Sequence, residues 1–205
     1  MQNKFLYAMA KSRLFVSRLF GLLIILLLLF TGHSFKQGEL VDILFEISGL
    51  ILITISSFGR LWSLLYISGY KSNNLIAEGP YSIVRHPLYF FSLIGTIGIG
   101  LASENILILA LVTAFYLFYY PFTILAEEQK LTNKFGTSYI EYCKRVPRFL
   151  PKISLYKEPE FYKITIGNLI RNFAEAILLI WVYILMHFIE LMQDEGILHV
   201  FARFP

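Results

Sequence analysis

The stretch GPYSIVRHPLYFFSLIGTIGIG, Gly79 to Gly100, sets Arg85 and His86 directly before Pro87 and then turns apolar. A proline fits the first turn of a helix, where its missing N–H costs nothing, and it moves the residue before it away from helical backbone. Arg85 and His86 are therefore expected just ahead of a helix N-terminus, beside free N–H groups that favour anions. Further along, LAEEQKL delivers a second charged pair, Glu127 and Glu128. The apolar run between the two pairs is interrupted only by SEN, Ser103 to Asn105, so the chain is expected to fold back on itself. A tight antiparallel hairpin would return the acidic pair to the side of the cationic pair. A pocket carrying both signs of charge suits a zwitterionic or mixed-charge ligand that must meet an apolar one.

The elements that position these residues follow from composition. Of 205 residues 57% are hydrophobic and 16% charged, with a mean hydropathy of +0.63; soluble domains carry about 25% charged residues. Apolar runs near 14–31, 40–58, 88–102, 105–126 and 166–191 are expected to span a bilayer, which takes about 20 residues per helix. The third is short and glycine-rich, which suits a tilted or partly spanning helix. The expected fold is all-α, a polytopic integral membrane protein with about five transmembrane helices. With these spans, sixteen of the eighteen Lys and Arg fall on one side, and only Lys36 and Arg203 on the other. The positive-inside rule then puts the N-terminus in the cytosol and the C-terminus outside. The net charge of +4 is accounted for by this topology and carries no expectation of nucleic-acid binding. The first apolar run is long and no A-x-A-like site follows it, which argues against a cleaved signal peptide. The single cysteine, Cys143, excludes an internal disulfide or a cysteine-rich metal site and reads as a small buried hydrophobe.

Three parts are expected: residues 1–74 with the first two spans and a connector, a core at 75–152, and 153–205 with the last span and tail. The largest cytosolic segment, 127–165, is shorter than the roughly 50 residues of a small independent domain. Any cofactor must therefore be held by helix ends at the cytosolic interface. FGTSYIEYCKRVPRFLP should form a short amphipathic piece along that surface. GTIGIG lacks a preceding strand and has the wrong spacing for a dinucleotide fingerprint, so its glycines are expected to serve close helix packing. In the fifth span, Arg171 and Glu175 share a face, as do His187 and Glu190; both pairs lie near span ends and read as structural.

Taken in order, GPYSIVRHPLY, EEQKL and FGTSYIEYCKRVPRFLP resemble the isoprenylcysteine carboxyl methyltransferase family and, more broadly, the membrane phospholipid methyltransferases. The similar blocks cover roughly residues 75–152. The resemblance implies methyl transfer dependent on S-adenosyl-L-methionine at the membrane interface. It places the family's RHP-x-Y motif on Arg85, His86, Pro87 and Tyr89, its preceding aromatic on Tyr81, and its acidic pair on Glu127 and Glu128, all around the cofactor. Arg85 can pair with the cofactor's carboxylate in bidentate fashion. Glu127 or Glu128 can hold its ammonium or ribose hydroxyls, and Tyr81 and Tyr89 offer ring faces to the adenine or sulfonium. His86 is the nearest base for an amine acceptor, which needs one; a carboxylate or thiolate acceptor does not.

FYLFYYPFTILA, just before the acidic pair, has no arginine or other charge, whereas prenylcysteine-specific members are expected to place polar contacts there. The acceptor is therefore left open between an isoprenylcysteine carboxylate and a lipid amine. It is expected to be lipid-like in either case, because the third and fourth spans offer Phe, Ile, Leu and Tyr, and each buried methylene contributes about 0.8 kcal/mol. A sterol-reductase-like oxidoreductase using NADPH and a non-enzymatic scaffold are the alternatives. The Glu pair favours methyl transfer over the first, and the convergence of charges is unexplained by the second.

Overall fold

The computed structural model describes residues 4–33, 39–68, 74–161 and 164–204. Lys36, Lys71 and Lys163 of the charge count lie outside the described residues, as does the side chain of Glu175. The chain is helical almost throughout: α1 (Lys4–Phe30), α2 (Leu40–Ser68), α3 (Pro80–Ile83), α4 (Pro87–Ala102), α5 (Ile106–Phe135), α6 (Thr137–Arg145) and α7 (Ile166–Asp194). Four of these, α1, α2, α5 and α7, are long and apolar enough to cross a bilayer. The third expected span, α4, has 16 residues. At 1.5 Å per residue it reaches about 24 Å, short of a hydrocarbon core of about 30 Å.

The long helices overrun the expected spans at one end of the bundle. There α1 begins at Lys4 rather than near 14, α2 continues to Ser68 rather than 58, and α5 continues to Phe135 rather than 126. Hydropathy marks where a helix leaves lipid, but polar residues extend the same hydrogen-bonded ladder into water. These projecting ends, with α3 and α6, surround the residues singled out above. At the opposite end, a short parallel pairing joins β1 (Thr31–His33) to β2 (Ala202–Phe204). It joins the α1–α2 connection to the C-terminal tail, two segments that the charge count already set on one side; the pairing itself the sequence did not suggest.

Helix packing follows small residues. The most extensive contact is between α2 and α4, and along it Gly98 meets the backbone of Ile53 and Gly49, while Gly49 meets Ala102. Ser56 Oγ donates to the Phe91 carbonyl at 2.7 Å. GTIGIG thus serves close packing, as its spacing suggested. In the α4–α5 hairpin, Glu104 takes a left-handed φ of 52°, and Asn105 caps α5 by accepting from the N–H groups of Leu107 and Ile108 at 3.0 and 3.3 Å. An Asn cap of this kind contributes about 1 kcal/mol and stops α4 and starts α5 sharply.

The last helix, α7, lies mainly along α2. Asn168 donates to the Ser68 carbonyl at 2.6 Å, and Tyr183 to Glu46 at 3.1 Å. His187 and Glu190 approach to 3.3 Å, and Arg171 bonds Asn168.

Candidate functional site

His86 is the N-cap of α4, with φ −127° and ψ 62°, and Pro87 opens the helix. The segment around them is held by backbone bonds from Arg85 N–H to the Pro147 carbonyl and from Lys152 N–H to that of Ile83, both 2.9 Å. The post-α6 loop is thereby laid against the RHP segment, and α5 returns Glu127 and Glu128 opposite it.

Glu128 collects three cationic or titratable side chains. Arg85 Nη1 donates to its Oε1 at 2.9 Å, and His86 Nε2 lies 3.2 Å from the same oxygen. Arg148 makes a fork, Nε to Oε1 at 3.1 Å and Nη2 to Oε2 at 2.7 Å. A carboxylate can only accept, so His86 carries its proton on Nε2. The His86 side chain is 4% exposed and those of Glu128 and Arg85 11% and 14%, whereas Arg148 is 53% exposed. The two arginines outweigh the one carboxylate, leaving the cluster with surplus positive charge on its solvent side.

Glu127 points elsewhere. Its Oε2 accepts from the Tyr89 hydroxyl at 2.8 Å, and Arg13 from α1 donates to that hydroxyl oxygen at 2.9 Å. Tyr81 lies near Glu127: burial, then that carboxylate, pushes its phenol well above the ordinary range, so it stays neutral. Its backbone carbonyl accepts from Tyr142 at 2.8 Å. Pro87 is buried and shapes the helix start. All seven residues singled out in the sequence therefore lie in one neighbourhood, divided between a Glu128 cluster and a Tyr89–Glu127 pair.

The sequence reading missed Arg148, Arg13 and the setting of Cys143. Arg148 stands in VPRFLP, and both arginines had been counted as topology anchors. A cationic side chain in a polar segment gives no sign of its partner until the fold is known. Cys143 is half-buried rather than enclosed, and its Sγ receives Arg85 Nη1 at 3.2 Å. The α6 piece buries Tyr139 and Tyr142 against Leu75, Ala77, Leu131 and Phe135, so its aromatic face is used to roof this region.

Residues 42–138 match the phospholipid methyltransferase family. The match includes the α4–α5 hairpin and ends before Arg148. Over 182 residues the chain is 32% identical to the nickel-cobalt-cadmium resistance protein NccN of Alcaligenes xylosoxydans xylosoxydans, covering 89% of this chain and 85% of that protein. It is 33% identical over 190 residues to the cobalt-zinc-cadmium resistance protein CzcN of Cupriavidus metallidurans, covering 93% and 87%. Protein-S-isoprenylcysteine O-methyltransferase B of Arabidopsis thaliana is 33% identical over 105 residues, about half of each chain (49% and 51%). No solved structure matches the chain.

Proposed function

This chain belongs to one family with NccN and CzcN, and because its residues 42–138 match the phospholipid methyltransferase family, we propose that it moves a methyl group from S-adenosyl-L-methionine to an amphiphilic acceptor at the cytosolic face of the membrane. The observation that carries this reading is the Glu128 cluster with its adjoining Tyr89–Glu127 pair, which together match a mixed-charge ligand. The donor's carboxylate is suited to Arg148 and Arg85, whose charge exceeds that of Glu128. Its ammonium is suited to Glu127, which is exposed and, among the described residues, bonded through a neutral phenol. Tyr81 and Tyr89 supply neutral aromatic surface beside these groups. Glu128, already occupied by three partners, serves instead to hold Arg85, His86 and Arg148 in place.

When bound, S-adenosyl-L-methionine supplies an electrophilic methyl group on its sulfonium, and displacement by an acceptor oxygen or sulfur leaves a neutral thioether. The chain's part is positioning and exclusion of water. His86 is buried with its Nε2 committed to Glu128, which makes it a poor base for an amine and a good clamp for the carboxylate. That favours an acceptor needing no base, such as the carboxylate of a prenylated cysteine, over a lipid amine. The acidic pair and the family match support methyl transfer over a nicotinamide reductase. NccN and CzcN are named for metal resistance; among the described residues no three His, Cys, Asp or Glu side chains converge as a ligand set.

Calorimetry on the detergent-solubilised protein should detect S-adenosylhomocysteine and not NADPH. Radiolabelled methyl transfer should rise with acceptor tail length at fixed head group. Binding of NADPH alone, or turnover indifferent to the tail, would overturn the reading.

The orientation proposed with it is an N-terminus in the cytosol and a C-terminus outside. In a Cys143→Ser background, a cysteine replacing Lys157 should be labelled by an impermeant maleimide only in inverted vesicles. One replacing His199 should be labelled only in intact cells. Labelling of both from the same side would refute the topology.

A further inference from the structure

The charge that FYLFYYPFTILA lacks on α5 is brought to the same place by α1. Arg13 Nη1 lies 2.9 Å from the Tyr89 hydroxyl oxygen, the same hydroxyl that donates to Glu127. The cytosolic half of α1 is fixed for this: Tyr119 donates to the Met9 carbonyl at 2.9 Å, and Ser12 and Tyr119 hydroxyls meet at 3.2 Å. Below them Phe20 of α1 stacks on Phe115 of α5 with ring centroids 3.9 Å apart, and Phe115 stacks on Tyr119. Both α1 and α4 pack on α5 but scarcely touch one another. The Arg13–Tyr89 bond thus bridges the gap between α1 and α4, beside the aromatic contact that joins α1 to α5.

Resting on the methyltransferase reading, we propose that Arg13 is the specificity residue for the acceptor, binding an anionic head group whose tail enters between α1 and α4. Three features support it. Arg85, His86 and Arg148 are all gathered on Glu128, away from this gap. Arg13 spends its bond on a neutral phenol, a weaker partner than an anion. Apolar and aromatic side chains of α1 and α5 beside a guanidinium also match an amphiphile with a negative head and a hydrocarbon tail.

The test uses the full-length protein in detergent saturated with S-adenosylhomocysteine. Three probes are compared by calorimetry: N-acetyl-S-farnesylcysteine, its neutral carboxamide, and farnesyl phosphate. Wild type should prefer the anionic probes, and Arg13→Gln should weaken them by roughly ten- to a hundredfold, the usual weight of a hydrogen bond to a charged group. Binding of the carboxamide should be unchanged, Arg13→Lys should recover part of the loss, and S-adenosylhomocysteine affinity should stay within about twofold. In turnover the same substitution should raise KM for the carboxylate acceptor more than it lowers kcat. The carboxylate and phosphate probes decide which anion the site prefers. Equal loss on the neutral probe, no loss on the anionic ones, or no anionic preference in wild type would overturn the role of Arg13. Failure of wild type to bind S-adenosylhomocysteine would instead overturn the methyltransferase reading itself.

Discussion

Replacing Glu128 with glutamine is expected to abolish measurable S-adenosylhomocysteine binding while the membrane helices stay folded. The side chain is 11% exposed and is the common partner of Arg85, His86 and Arg148. Glutamine keeps the shape but removes the charge and turns half of the acceptor surface into a donor that faces guanidinium N–H groups. Removing one partner of a buried ion pair typically costs about 3–5 kcal/mol, because the remaining charge is stranded. Here the buried Arg85 would be stranded, while Arg148, already half exposed, would lose both of its bonds. They would turn toward solvent and the α6 loop would lose its side-chain tie to α5, which is worth about a hundredfold or more in affinity at 1.4 kcal/mol per tenfold. Calorimetry checks the binding, and circular dichroism checks that helix content is retained. His86→Ala should cost less, since one of four bonds to Glu128 is lost. Wild-type affinity in Glu128→Gln would show that the cluster does not organise the site.

Gly98→Val is expected to be strongly damaging although it lies far from the charged cluster. A Cβ built on Gly98 lies 2.9 Å from the Ile53 nitrogen and 3.0 Å from the Gly49 carbonyl oxygen. These are backbone atoms of α2, so no side-chain rotation can make room, and α2 and α4 must separate. Overpacking of this kind costs about 1–3 kcal/mol or more. The same shift moves the start of α4, where His86, Pro87 and Tyr89 sit. A lowered thermal midpoint in detergent together with weakened S-adenosylhomocysteine binding is the expected result. Gly21→Val is the matched control, because nothing lies within 4 Å of a Cβ built there. Equal behaviour of the two variants would show that the α2–α4 contact is not a tight one.

The all-helical membrane fold was legible in the sequence because hydropathy is a local property: a run of apolar residues must satisfy its backbone internally wherever it sits in lipid. The α4 start was legible for an equally local reason, since Pro87 restricts both itself and His86. So was the hairpin, because SEN leaves too few residues for anything longer. From those three facts alone Arg85, His86, Tyr89, Glu127 and Glu128 had to share one end of the bundle. Which carboxylate meets which cation was beyond that reading. Adjacent residues on a helix point about 100° apart, so Glu127 and Glu128 face different neighbours, and their division between Tyr89 and Arg85 depends on how α5 is rotated against α4. Arg148 and Arg13 come from a loop and from a helix distant in the chain. Their charge was visible in the sequence, but a long flexible side chain takes its partner from whatever packing brings within reach, and only the assembled bundle decides that.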